Sequence, residues 1–383
     1  MNNSLSESIL QKRIKRFKSI KRGYYSLILL VSFYAFSILS PLWVNNKPII
    51  IKFKNEKFDK GEDFTDLNEN QKWDFGEPFK DKTKYFFPAF WDLMDFIPGI
   101  NYPLYESKNF NQDIKKFEPD FRLLDETCEK DNKGNFVIMP IYPYHPHEDL
   151  KDKLDEIYTD LNDNGKYDLG EPFIDQNEDG QWNENNPPTK PDGFSGRHLL
   201  GTDNTGRDIF ARVIDGFKIS ITFAVVCTLL SYSIGIIVGG TLGYFGSKID
   251  LFGVRIMEIF SAMPFLFIMM ILSGFMQPNL VILASILVFL SGWIGISYFI
   301  RGEFYREKAK DYVSAAVSMG ASNKQVMFKH ILPNALTPII TFAPFAIIGY
   351  IGTLNMLDVL GYGLQPPAAS WGEILKQALE NLD

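Results

Sequence analysis

The chain is 383 residues long, 46% hydrophobic and 22% charged, with a formal net charge of -7 and a mean hydropathy close to zero. With 29 Gly, 21 Pro and only 2 Cys it is neither collagen-like, nor disordered, nor held by a disulfide framework. These averages describe an acidic soluble protein of two or three domains, but an aromatic content of 15%, rich in Phe, points elsewhere.

Four stretches carry no Asp, Glu, Lys, Arg or His: Gly23–Asn46 (24 residues), Ile219–Ser247 (29), Ile259–Ile300 (42) and Ile331–Leu357 (27). A helix that crosses a ~30 Å hydrocarbon core needs about 20 apolar residues. The run of 42 holds two such spans, separated at Gln277, Pro278 and Asn279. The predicted spans are therefore Tyr24–Val44, Ile221–Phe245, Ile256–Met276, Leu280–Ile300 and Ala335–Leu357. One such run could be a buried core helix; five in one chain read as a polytopic membrane protein.

The bases set the orientation. Lys12, Arg13, Lys15, Arg16, Lys18, Lys21 and Arg22 precede the first span, which predicts a cytoplasmic N-terminus. Lys248 and Arg255 follow span two, and Arg301, Arg306, Lys308, Lys310, Lys324 and Lys329 follow span four, while the turn between spans three and four has none. Counting helices from an inside N-terminus alternates the same way. Residues 45–197 then lie outside, and they hold 33 Asp and Glu against 20 Lys and Arg, a net of -13. The remainder holds 13 acids and 19 bases, a net of +6. The first span reads as a signal anchor rather than a cleaved signal peptide, because its basic leader is long and no small-x-small site precedes Pro41. Cys128 lies outside and Cys227 inside span two, so the two are not expected to pair.

Spans one, two, four and five contain no ionisable residue, and span three only Glu258, near its cytoplasmic entry. Ion-coupled transporters and intramembrane enzymes place such residues at membrane depth. His145, His147, His198 and His330 all fall outside the spans, and no G-x-x-x-x-G-K-[ST] loop is present. The chain is thus expected to be no enzyme and to have no ATPase site of its own. Gly235, Gly239, Gly240 and Gly243 stand at small-xxx-small spacing, a stripe that lets other helices approach closely.

Before span two, His198, Leu200, Gly201, Thr202, Asp203, Gly206, Arg207 and Asp208 form a dense polar segment. Thr202 or Asp203 could start a helix whose apolar side carries Ile209, Phe210, Val213, Ile214 and Phe217, an interfacial helix over 198–218 leading into the membrane. Between spans four and five, a short helix with Ala315 and Ala316 should stop at Gly320. Ser322 or Asn323 should cap a second helix with Val326, Met327 and Ile331 on one face, and Pro333 marks the entry to span five. A helix–turn–helix with basic flanks is a docking shape for another protein; an amphipathic loop lying on lipid is the ordinary alternative.

The spacing of Ala315, Ala316, Gly320, Ile331, Leu332 and Pro333 resembles the EAA loop of binding-protein-dependent ABC transporter permeases, with Ser314 where that family usually has Glu. The segment from His198 to Asp208 resembles the H-x-L-G-T-D-x-x-G-R-D signature of the C-type permease of oligopeptide and dipeptide transporters. Leu357, Asp358, Gly361, Gly363, Pro366 and Pro367, with Ile138 to Pro143 in the outer block, look most like the Yej-like branch that carries microcin C-type peptides. The resemblance covers 195–383 strongly and 10–50 weakly. It implies an all-α polytopic permease of the type I ABC importer fold, in a bacterial inner membrane. It also implies a second homologous permease, two ATPase subunits docked on the loop 301–334, and an extracytoplasmic peptide-binding protein. The expected organisation is a basic N-terminus (1–23), a first span (24–44), an acidic loop-rich insertion (45–197), the interfacial helix, and a core (219–383). Related permeases continue into a sixth span beyond the position of Asp383; a truncated or split reading frame is the favoured expectation, with a last helix supplied by a partner or a compromised protein as the alternatives.

The acidic insertion has a pattern of its own. Asp160, Asn162, Asn164, Lys166, Asp168 and Glu171 stand at positions 1, 3, 5, 7, 9 and 12 of a calcium loop, with Gly165 at position 6 and the carbonyl of Lys166 at position 7. A second copy offers Asp175, Asn177, Asp179, Gln181 and Asn183, with Asn186 in place of Glu. A third offers Asp66, Asn68, Asn70, Lys72, Asp74 and Glu77, with Gln71 where Gly is expected. Pro172 and Pro78 follow the closing Glu in two copies and would break an exiting helix, so these are expected to be structural Ca²⁺ loops rather than sensor EF-hands. A solvated acidic surface is the plain alternative. Two other functions remain open: a membrane-anchored calcium-binding or sensing protein, and a permease for nickel or another small solute.

Overall fold

The computed structural model describes residues 18–54, 63–64, 79–80, 83–94, 105, 107–110, 119–131, 134–148, 159, 161, 167–173, 182, 198–203, 205–276 and 278–380. The chain divides into two compact units, Met1–Ile214 and Asp215–Asp383.

In the first unit, helix α1 (Lys21–Ile38) carries the first apolar run. It exposes Leu27, Leu29, Val31 and Phe33 around its circumference. It is 18 residues long and opens on Lys21 and Arg22, and it is not among the helices long and apolar enough to cross a membrane. A 3-10 turn with Pro41 ends it, and Trp43 stacks back on Phe36 with ring centroids 4.1 Å apart. The acidic insertion then forms more than loops. Strand β1 (Ile50–Phe53) is the centre of an antiparallel sheet, and two further short strands, β2 (Asp63–Phe64) and β3 (Phe79–Lys80), pair with each other. Strands β4 (Lys84–Phe86) and β5 (Phe136–Ile138) flank β1, with Ile51 opposite Phe86 and Val137. Alternation along β1 sends Ile51 and Phe53 inward and leaves Ile50 and Lys52 outward. Between β4 and β5 come helices α2 (Pro88–Met94) and α3 (Phe121–Asp131). Helix α3 lays Phe121, Leu124 and Cys128 against β1, and Phe110 completes the cluster. Cys128 is buried and is not in a disulfide.

Helix α4, Ile209–Phe245, runs unbroken for 37 residues. The expected interfacial helix over 198–218 is therefore corrected: 198–208 is a hydrogen-bonded turn, and everything from Ile209 continues into span two. Helix α4 ends at Gly246, whose φ of +63° turns the chain directly into α5 (Ser247–Ser261). Lys248 and Arg255 thus sit on a helix, not in a loop. Helix α5 and α6 (Phe265–Phe275) replace the straight third span with a pair bent by 62°. Pro264 lacks an amide proton and stands at the break, which explains it. The fourth span is α7 (Leu280–Leu287), a π-helical turn at Val288–Gly292, and α8 (Ile294–Lys308), bent by 46°. Asn279 caps α7 by accepting from Ile282 N at 2.9 Å. After a short helix α9 (Asp311–Ser318) comes α10 (Leu332–Val359), and last α11 (Trp371–Glu380). Among the described residues, two helices are long and apolar enough to span a membrane, or four if each bent pair is one span.

The glycine stripe of α4 packs within the chain. A Cβ on Gly235 would lie 2.1 Å from Ile296 Cγ2, on Gly239 2.3 Å from the Ser297 carbonyl oxygen, and on Gly243 2.6 Å from the Arg301 carbonyl oxygen. The stripe therefore seats α8 in van der Waals contact with the α4 backbone. Two polar features were not singled out by charge patterning. The Ser231 and Tyr350 hydroxyls lie 2.6 Å apart beside Gly292 in the π-turn. Helix α10 also reaches past Leu357 and takes buried Asp358 into its last turn, where Oδ1 accepts from Leu364 N at 2.7 Å.

Candidate functional site

The segment between α8 and α10 folds as its local chemistry dictates. Helix α9 ends in a Schellman closure: Gly320 N donates to Val317 O at 2.9 Å and Ala321 N to Ala316 O at 3.1 Å. Gly320 takes φ +85°, which a side chain would resist. Of the two predicted caps, Ser322 serves, in a reciprocal box: Gln325 N donates to Ser322 Oγ at 3.4 Å and Ser322 N to Gln325 Oε1 at 2.9 Å. A single helical turn, Asn323–Gln325, becomes a π-helical turn over Val326–Ile331 and runs into α10, with Pro333 in its first turn.

Val313, Val326, Met327 and Ile331 are buried together with Ile296, Ile300 and Phe304 of α8, and Ala316 is buried as well. Of the residues singled out as a docking loop, Ala316 and Ile331 are thus core, and Leu332 and Pro333 are half-buried; Ala315 and Gly320 face out. Beside them the loop presents apolar residues that the motif does not contain. Met319 is 81% exposed, Phe328 56% and Val317 53%, all apolar, on a charged protein face. Only burial on the inner side shows which apolar residues are left over, so spacing alone could not select them. Polar side chains fix the loop on both flanks. Tyr244 Oη donates to Asn323 Oδ1 at 2.8 Å and Lys308 Nζ to Tyr244 O at 2.6 Å. Arg301 Nη2 donates to Asp250 Oδ2 at 2.6 Å and Tyr305 Oη to the same oxygen at 2.8 Å, joining α8 to the start of α5.

In the first unit, the segment 198–208 is a polar knot. Asp203 Oδ1 accepts from Thr205 N, Thr205 Oγ1 and Arg207 N at 2.8–2.9 Å, and Oδ2 accepts from Arg207 Nε at 2.8 Å. Arg212, fully buried, has Nε 3.6 Å from that Oδ2. Gly201 and Gly206 both take positive φ, at +74° and +78°, and Thr202 bridges to Asp208. Neither Thr202 nor Asp203 starts the helix; Asp208 caps it, with Oδ1 accepting from Ala211 N at 2.8 Å. Asp208 Oδ2 accepts from Tyr142 Oη at 2.6 Å and lies 2.8 Å from His198 Nδ1. Burial and this carboxylate together push the Tyr142 hydroxyl up from its ordinary value. Ile209, Phe210, Val213 and Ile214, expected on the apolar side of an interfacial helix, are half-buried, whereas Ala211 and Arg212 are buried.

Burial opposes ionisation of Asp203, but the Arg207 amide, the Thr205 hydroxyl and the Arg207 guanidinium outweigh it and hold the carboxyl below its usual range. A depressed folded-state value adds stability that is present above the unfolded-state value and lost as pH falls through the folded one. Thermal unfolding in detergent from pH 6 to pH 3 should show that acid loss, and Asp203→Asn should flatten it. An equally steep acid limb in the variant would count against the assignment.

Of the calcium positions, Asp66, Asn68, Asn70, Lys72, Asp74, Glu77, Asp160, Asn162, Asn164, Lys166, Asp175, Asn177, Asp179, Gln181 and Asn183 lie outside the described residues. Asp168 is exposed and Glu171 buried. Glu171 Oε1 accepts from Leu161 N and Oε2 from Asp168 N, each at 2.9 Å, so the closing carboxylate draws the loop ends together. Among the described residues, no group of three or more His, Cys, Asp or Glu could hold a metal ion.

Residues 231–379 match the family described as "Binding-protein-dependent transport system inner membrane component", and this stretch carries that domain. Curated relatives agree. The chain is 42% identical over 188 residues to the inner membrane ABC transporter permease protein YejE of Escherichia coli K12, covering 49% of this chain and 55% of the relative. It is 42% identical over 183 residues to the peptidoglycan transport system permease protein YejE of Agrobacterium fabrum, covering 48% of each. To the oligopeptide transport system permease protein OppC of Haemophilus influenzae it is 32% identical, covering 54% of this chain and 65% of the relative. The chain spans about half the length of the two YejE proteins it matches. A structure of the MetNI methionine ABC transporter aligns at 22% identity and a TM-score of 0.35, over 44% of this chain and 81% of that one. With its apolar helices, the chain is an integral membrane protein.

Proposed function

We propose that this chain is a transmembrane permease subunit of an ABC importer that moves peptides delivered by an extracytoplasmic binding protein. The carrying observation is the loop between α8 and α10: a rigidly capped helix–turn–helix whose inner face is core and whose outer face leaves Val317, Met319 and Phe328 uncovered. Such a surface, set between two apolar spans, fits docking of an ATPase subunit that supplies the energy this chain does not carry. A second permease would complete the translocation path, and the glycine-seated packing of α4 on α8 gives each half a stiff body to rotate between inward- and outward-open states. The basic leader fits a cytoplasmic N-terminus in a bacterial inner membrane, with the acidic unit outside, where a binding protein docks. Affinity purification of the tagged chain from its own cells tests the reading: ATPase subunits should co-purify, and their absence under mild detergent would refute it.

The outer unit is assigned structural calcium at Asp160–Glu171 and, more weakly, at Asp66–Glu77 and Asp175–Asn186. The spacing of oxygen donors supports this, as does Glu171: each of its oxygens takes one amide proton and keeps a lone pair for a cation. Millimolar calcium should raise the melting temperature of the detergent-solubilised chain by several degrees, and Glu171→Gln should shrink that gain. No calcium-dependent shift in the wild type would sink the assignment.

A further inference from the structure

We propose that Glu307 is a positioning residue that makes the docking helix α9 move as one body with α8 and α10, so that a partner's push on α9 reaches both spans. The inference rests on reading this loop as the ATPase-docking part. Glu307 lies in the last turn of α8 with a side chain only 2% exposed. Its Oε1 accepts from Lys310 Nζ at 2.7 Å and its Oε2 from Tyr312 Oη at 2.8 Å. Lys310 leads into α9, and Tyr312 stands in its first turn. The Tyr312 hydroxyl accepts in turn from Asn334 Nδ2 at 3.2 Å, and Asn334 Nδ2 also donates to His330 O at 3.1 Å, where the chain enters α10. One buried carboxylate thereby heads a chain of hydrogen bonds through three consecutive elements.

The physics separates this chain from the packing beside it. Val313 holds α9 to its neighbours by apolar contact, which is non-directional and permits rocking. Hydrogen bonds to an ionised carboxylate are directional and roughly twice as strong as neutral ones. Tilting α9 away from α8 would strand a buried charge, which is costly. The angle of the docking helix is therefore set at Glu307, and its contact surface is set elsewhere, at Val317, Met319 and Phe328. Docking and transmission are thus separable by mutation.

The test uses the complete complex, purified with its ATPase subunits and carrying spin labels at Phe289→Cys and Ile348→Cys, both exposed positions in the wild type. The label–label distance is measured without nucleotide and with ATP plus vanadate, in the otherwise wild-type protein, Tyr312→Phe, Glu307→Gln and the double variant. The expected result is unchanged ATPase co-purification in Tyr312→Phe, with the nucleotide-driven distance change reduced at least threefold. The double variant should be no worse than Tyr312→Phe, since both cut the same chain of bonds. A full wild-type distance change in Tyr312→Phe would overturn the proposal, as would loss of ATPase from that variant, which would make the node part of docking or folding. An unresponsive otherwise wild-type pair in an intact complex would also overturn it. Failure of the underlying reading looks different, since no ATPase would then accompany even the wild type.

Discussion

Gly239→Ala separates α4 from α8 and lowers the stability of the solubilised protein by about 1–3 kcal/mol, the cost of overpacking a fitted interface. The magnitude follows from what the new methyl group meets. It would lie 2.3 Å from the Ser297 carbonyl oxygen and 3.0 Å from Ile300 Cβ, and backbone cannot swing aside as a side-chain tip can. Relief requires α8 to shift along its whole length, which also disturbs Gly235 against Ile296 and Gly243 against Phe304. Gly239→Val should abolish folded protein. Gly295→Ala is the matched control: it lies on α8, its Cβ would meet nothing within 4 Å, and it should be neutral or gain up to about 1 kcal/mol of helix propensity. Equal unfolding temperatures for Gly239→Ala and Gly295→Ala would refute the packing account.

Met319→Asp should abolish ATPase co-purification while leaving the permease folded. A methionine that is 81% exposed in the free chain contributes little to its stability, and a surface substitution there stays within about 0.5 kcal/mol. In a docked complex the same side chain would be buried, contributing about 1.5–3 kcal/mol. A carboxylate in its place would also have to be desolvated. Together these weaken docking by at least about 3 kcal/mol, more than a hundredfold in Kd. Ala316→Asp provides the contrast, because Ala316 is buried and a charge there should unfold the loop itself. A Met319→Asp variant that keeps its ATPase would move the docking surface away from the exposed cap.

The difference between these two residues shows where the sequence was readable. Ala316 and Met319 are three positions apart on adjoining turns, and the motif named the first. It is the buried one, on the same side of α9 as buried Val313. The spacing of small and apolar residues records packing constraints faithfully, because those constraints act through local geometry. It is silent on the outer surface, which is defined by what remains after packing. The segment 198–208 behaves the same way. Gly201, Asp203, Gly206, Arg207 and Asp208 stood out as a group, and each has a local task in a turn. Their bonds to Tyr142 and Arg212 were not legible: Tyr142 lies 66 residues before Asp208, and Arg212 sits on the side of its helix opposite the expected apolar residues.

The membrane character of the chain, its long apolar runs, the acidic block over 45–197 and the two adjacent caps within the loop between α8 and α10 are legible in the residues alone. Charge-free length, Gly320 and the Ser322–Gln325 box are enough for these, because desolvation and capping are decided within a few residues of the chain. Only the folded chain shows that span four bends at a π-turn and that the insertion holds a three-stranded core. It alone decided that the glycine stripe faces α8, and that Glu307 joins three helices. Those outcomes depend on which surfaces meet across long separations in sequence, and a periodicity has no record of its partner.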